Sequence, residues 1–108
     1  MGFLSNLTGV PDMRIVQLGH PGRGLILDVT QTGTMLEAPD GTEETICIFI
    51  LEVRRPGERP YHATARQRFP WHRMDQLEIG STLVAVRIDP RNESHVAIDW
   101  KAPLVLAA

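Results

Sequence analysis

The sequence predicts a mainly-β domain: a small antiparallel barrel of five to six strands, OB-like or SH3-like, with one short helical turn. Three observations lead there. Segments rich in β-branched residues recur along the chain, several alternating apolar and polar positions with the period of two that a half-buried strand shows. Turn signals separate them, at Gln31-Thr32-Gly33-Thr34, Asp40-Gly41, 54–60 and Pro90-Arg91-Asn92. The length of 108 residues and a hydrophobic content of 43% suit one domain with one core. Strands in so short a chain most economically close on themselves, because closure removes exposed edges.

Residues 1–22 read as an N-terminal extension, punctuated by Gly9, Pro11, Gly19, Pro21 and Gly22. Within it, Met13–Leu18 is too short for its period to separate strand from helix. The barrel domain is expected over 23–100. Its first strand sets Leu25, Leu27 and Val29 against Ile26, Asp28 and Thr30, which gives one buried face. Residues 46–53 form the strongest segment. Cys47, Phe49, Leu51 and Val53 point one way and Ile46, Ile48 and Ile50 the other. Both faces are apolar until Glu52, so this strand is expected to be covered on both sides, by the chain itself or by a partner subunit.

Pro56-Gly57 suits the middle of a type II turn in the hairpin loop 54–60. The next strand places Tyr61, Ala63, Ala65 and Phe69 on one face and His62, Thr64, Arg66 and Arg68 on the other. Pro70 ends it. Trp71, Met74 and Leu77 then recur near helical spacing until Gly80 stops the turn. A strand over 82–89 directs Val84, Val86 and Ile88 inward, and a last one places Val96, Ile98 and Trp100 on one face. Residues 101–108 read as a C-terminal tail.

Taken in order, several of these segments carry a resemblance. They are Gly24-Leu25-Ile26-Leu27-Asp28-Val29 with Gln31-Thr32-Gly33, Pro60-Tyr61-His62-Ala63-Thr64, the run from Leu77 to Pro90, and Val96-Ala97-Ile98-Asp99-Trp100. Over 22–100 the chain resembles the small β-barrel domains of unknown function common in actinobacterial proteins. There a glycine, alternating valines and Asp-Pro precede a final strand. The resemblance implies a fold and no reaction. The stretch from Met35 to Glu44 is longer than the usual connection.

Composition narrows the function classes. The formal net charge is −2, with ten arginines against the single Lys101, and a free-standing nucleic-acid binder usually carries a strong positive excess. Cys47 stands alone and cannot make an internal disulfide. The start lacks the basic and long apolar regions of a signal peptide, and no apolar run reaches 18 residues. These features together predict a cytoplasmic protein with no membrane span.

No reaction is legible. His20, His62, His72 and His95 stand at no metal-ligand spacing. His62 and His95 lie on strands and would need Asp28, Asp89 or Asp99 to converge on them. Cys47 opens a doubly apolar strand, where a thiol acts as a small hydrophobe and not as a nucleophile. Ser5, Ser81 and Ser94 lack an elbow motif. Gly19-His20-Pro21-Gly22-Arg23-Gly24 lacks the Gly-Lys-Ser/Thr ending of a phosphate loop and leads into a strand. The expectation is therefore no enzyme, no cofactor and no metal.

What remains is binding. The first expectation is a non-catalytic barrel acting through protein contacts, as a homo-oligomer or a small accessory subunit of a larger assembly. Its interface candidates are Phe3, Leu4, Ile46, Ile48, Ile50, Trp71, Trp100 and Leu104, since a contiguous exposed apolar patch marks an interaction site. The alternative is an OB-like single-stranded nucleic-acid binder using Arg54, Arg55, Arg59, Arg66, Arg68 and Arg87, with Tyr61, Phe69 and Trp71 as stacking surfaces. Tyr61 and Phe69 fall on the small-residue face, however, and Asp28 and Asp99 on neighbouring strands suit cross-strand ion pairs with Arg66 and Arg68.

Overall fold

The computed structural model describes residues 13–106. Met13–Leu18 resolves the first ambiguity as a short α-helix, α1. Six strands follow: β1 (His20–Glu37), β2 (Glu43–Arg54), β3 (Tyr61–Pro70), β4 (Thr82–Asp89), β5 (Asn92–Asp99) and β6 (Val105–Leu106). A 3-10 helix, Trp71–Gln76, stands between β3 and β4. All pairings are antiparallel, in the order β3-β2-β1-β4-β5, with β6 added to β4 beyond the end of β5.

The sheet curls until β3 and β5 lie alongside each other. Read round the ring, the order is then β1-β2-β3-β5-β4, that of an OB-like barrel. The ring is not closed by a backbone ladder. At the seam, the Gln67 side chain of β3 does the work of one rung. Its Nε2 donates to the Ile98 carbonyl at 3.0 Å, and its Oε1 accepts from the Ile98 N–H at 2.6 Å. Gln67 is buried and inward, at a position whose parity matches Ala63, Ala65 and Phe69. A buried amide satisfied at both ends is stable there, where a half-satisfied one would not be.

The core fills the space inside this curl. Cys47, Phe49, Leu51 and Val53 on β2 meet Ala63, Ala65 and Phe69 on β3, Val84, Val86 and Ile88 on β4, and Val96 and Ile98 on β5. Phe49, Phe69 and Trp100 form an aromatic cluster across the seam, with Phe69 and Trp100 centroids 4.6 Å apart. Met74 and Leu77 pack against the core from the 3-10 helix and its end. Helix α1 packs on β4 and β5 through buried Ile15.

Two expectations need correction. The first concerns β1, where the single apolar face is broken by a bulge between Ile26 and Asp28. One extra residue reverses the parity, so Ile26 and Val29 point to the core while Leu25 faces out beside Leu83. The second concerns Gln31-Thr32-Gly33-Thr34, which is not a turn. It is a second bulge inside β1, with Gly33 at φ 86° and the Thr32 hydroxyl donating to the Ile46 carbonyl. Val105 and Leu106, in the tail, pair with β4. β1 begins at His20.

The remaining turns form as their residues dictate. Arg55-Pro56-Gly57-Glu58 closes with Glu58 N–H donating to the Arg55 carbonyl, and Gly57 at φ 75° supplies the left-handed position a type II turn needs. Asp40 and Asp89 each accept a backbone N–H two residues on, from Thr42 and Arg91.

Candidate functional site: the outer face of the sheet

The outward residues of β2 lie in rows fixed by register. Ile46 sits opposite Arg68, Ile48 opposite Arg66 and Ile50 opposite Thr64 on β3. On the β1 side, Ile48 faces Thr30 and Ile50 faces Asp28. Two-sided burial therefore fails along this strand. Ile46 is 3% exposed, Ile48 is half-buried and Ile50 is 38% exposed. The contrast between Ile50 and the other two follows their neighbours on β3. An arginine stem is long enough to lie over an adjacent isoleucine, whereas threonine and aspartate are too short to cover one.

The apolar character continues across the sheet. Leu25 on β1 lies opposite Leu83 on β4, and Leu83 opposite Val105 on β6. Val105 and Leu106 are exposed, as is Ile79 in the loop before β4. Gly80 in that loop donates to the Ile26 carbonyl at 2.7 Å, which ties the loop to β1 just where its pairing with β4 ends.

The other interface candidates divide. Trp71 is 47% exposed at the start of the 3-10 helix. Trp100 and Leu104 are partly buried and pack against the core, so each serves the fold first. The Trp100 indole nitrogen is buried without a hydrogen-bond partner among the described residues. Phe3 and Leu4 lie outside the described residues.

The arginines do not gather into one patch. Arg54 is held by Glu52 at 2.8 Å, Arg55 by Glu58 at 3.1 Å, and Arg68 stands 4.0 Å from Glu44. Among the described residues, Arg68 thus has a carboxylate neighbour on the adjacent strand, Glu44, and not Asp28 or Asp99. Arg66 is half-buried, and its Nε has no partner among the described residues. Arg59 lies in the hairpin loop at the opposite end of β3, and Arg87 is on β4, beyond β1. Of the proposed stacking surfaces, Phe69 is fully buried and Tyr61 is half-buried, its hydroxyl donating to the Glu93 carbonyl at 2.6 Å.

Among the described residues, the histidines and acids meet in pairs. His95 Nδ1 lies 3.4 Å from Asp89 Oδ2, while His62 is outward on β3 opposite Glu52. Among the described residues, no group of three His, Cys, Asp or Glu side chains could hold a metal ion. The Arg91 N–H, above all, holds the Asp89 carboxyl below the usual range, and the His95 ring adds to this. Cys47 is buried in the core, and burial raises its thiol. Among the described residues, no helix is long and apolar enough to cross a membrane.

Sequence reasoning missed two features. Gln67 was legible by parity on β3 as a polar residue on an apolar face, the signal of a buried amide with a structural partner. The second is a hollow beside Arg23 and Asp99, which depends on the placement of β1 and β5 on either side of β4 and so on long-range pairing. Comparison with family models, with curated proteins and with solved structures finds no match to this chain.

Proposed function

We propose that this chain is a non-catalytic binding domain that acts through protein contacts, as a homo-oligomer or as a small accessory subunit of a larger assembly. The observation that carries this reading is Ile50: an isoleucine in the middle of a sheet face, 38% exposed, flanked by short polar neighbours and continuous in register with half-buried Ile48. Scattered apolar residues are normal on a protein surface, but isoleucines aligned on the outside of a central strand are a ready contact surface. Exposed Trp71, Ile79, Val105 and Leu106 add to the apolar surface that a partner would cover. Placement within the barrel domains of unknown function that residues 22–100 resemble belongs to the same proposal, as does a cytoplasmic location.

The local pairing of Arg54, Arg55 and Arg68 with carboxylates favours protein over nucleic acid as the partner. The test is light scattering across a concentration series, with affinity capture from lysate, for the natural chain and for Ile50→Glu. Self-association or a specific partner, lost in Ile50→Glu while the thermal midpoint stays near the natural value, supports the proposal. A strict monomer with no captured partner overturns it. Salt-sensitive binding to a single-stranded oligonucleotide would overturn it in favour of the arginine surface.

A further inference from the structure

A second outward surface, distinct from the isoleucine row, lies where β1, β4 and the end of β5 run side by side. By register Ala85 on β4 stands between Arg23 on β1 and Asp99 on β5. A methyl group between two longer side chains leaves room above it. A hollow of 260 Å³ occupies that place, lined also by Arg87 and by Ala102 and Pro103, where the chain leaves β5 for β6.

The charges around this hollow are unevenly matched. Arg23 is exposed and makes no ion pair among the described residues, and Arg54, directly across from it on β2, is already held by Glu52. The hydrogen bond of Arg87 runs to the Gly19 carbonyl, long at 3.5 Å. Like charges on adjacent outward positions repel, so these arginines raise the local positive potential at one side of the hollow. Asp99 lines it too, with Oδ1 accepting from the Lys101 N–H at 3.0 Å. Arg23 and Asp99 stand two strand spacings apart, about 10 Å between backbones, and do not meet in an ion pair.

We propose that this hollow binds a small zwitterion of the ω-amino carboxylate class. Arg23 and Arg87 take the carboxylate, in the forked geometry that guanidinium offers. Asp99 takes the ammonium, and the intervening methylenes lie over Ala85. A dianion such as phosphate is opposed by the Asp99 charge, and a simple carboxylate leaves Asp99 without a partner.

The test is a titration of the ¹⁵N-labelled full chain, followed by amide shifts, with 4-aminobutyrate, butyrate and inorganic phosphate as probes. Saturable shifts at Ala85, Asp99 and Ala102 with 4-aminobutyrate, at least about fivefold tighter than with butyrate, are expected. Arg23→Gln should abolish them. Asp99→Asn should bring 4-aminobutyrate down to the level of butyrate. Both changes lie on the sheet surface, and retained spectral dispersion shows that the fold persists. No saturable shift with any probe, phosphate binding as tightly as 4-aminobutyrate, or an unchanged titration in Arg23→Gln would each overturn the proposal.

Discussion

Four junctions of the ring and the fifth are built differently. Between β3 and β2, β2 and β1, β1 and β4, and β4 and β5, the strands are joined by backbone ladders. Between β3 and β5, the Gln67 side chain bridges to Ile98, and the Phe49, Phe69 and Trp100 rings fill the space beneath. A ladder is cooperative and tolerates the loss of a side chain, because its bonds belong to the main chain. A seam made of side chains concentrates its stability in a few residues. One polar residue on an inner face, the most mutable-looking part of a small barrel, thus holds the two ends of the sheet together.

The largest expected effect falls on the aromatic side of the seam. Phe69→Ala removes a fully buried ring that touches both Phe49 and Trp100, and should lower unfolding free energy by about 3–5 kcal/mol in a denaturant titration. A loss no greater than that of an exposed substitution would show that the ladders alone hold the curl.

Gln67→Leu comes next. It keeps most of the volume but leaves the Ile98 N–H and carbonyl without partners, a cost of about 2 kcal/mol. Hydrogen exchange separates the seam from the ladders. The Ile98 amide should lose protection in this variant, while amides in the β1–β2 ladder keep exchanging at the rate set by global unfolding. Equal loss at both places would mean that seam and ladders open as one unit.

The smallest effect belongs to the turn joining β4 and β5. Asp89 accepts the Arg91 N–H and lies beside His95, and its carboxyl is held below the usual range. A depressed carboxyl contributes stability that is complete above its unfolded-state value and is lost as the pH falls through the folded one. Asp89→Asn can still accept the N–H but carries no charge. The midpoint difference between natural chain and variant should therefore shrink as the pH is lowered below the usual carboxylate range. A constant difference down to about pH 2 would show that the charge contributes nothing.

How much of this was legible in the sequence depends on the range of the interaction. The inward residues of β2, β3 and β4 follow from period two alone, and the type II turn follows from Pro56-Gly57. The bulge at Leu27 was not legible, because parity is reversed by one residue that no local signal marks. The exposure of Ile50 was not legible either. It is decided by Thr64 and Asp28, which register alone places beside it. The same holds for the hollow over Ala85, whose charged walls are 76 positions apart in sequence, from Arg23 to Asp99.

The burial of Cys47 carries a practical consequence. A fully buried core sulfur, its thiol pushed up by burial, meets no reagent while the domain stays shut. Where reclosing outruns an aromatic disulfide reagent, the rate of modification is proportional to the open population, so a colorimetric assay on the unlabelled chain reads the free energy of the excursion that exposes β2. The molecule carries its own stopwatch, at a position where installing a probe would have damaged the packing it was meant to report.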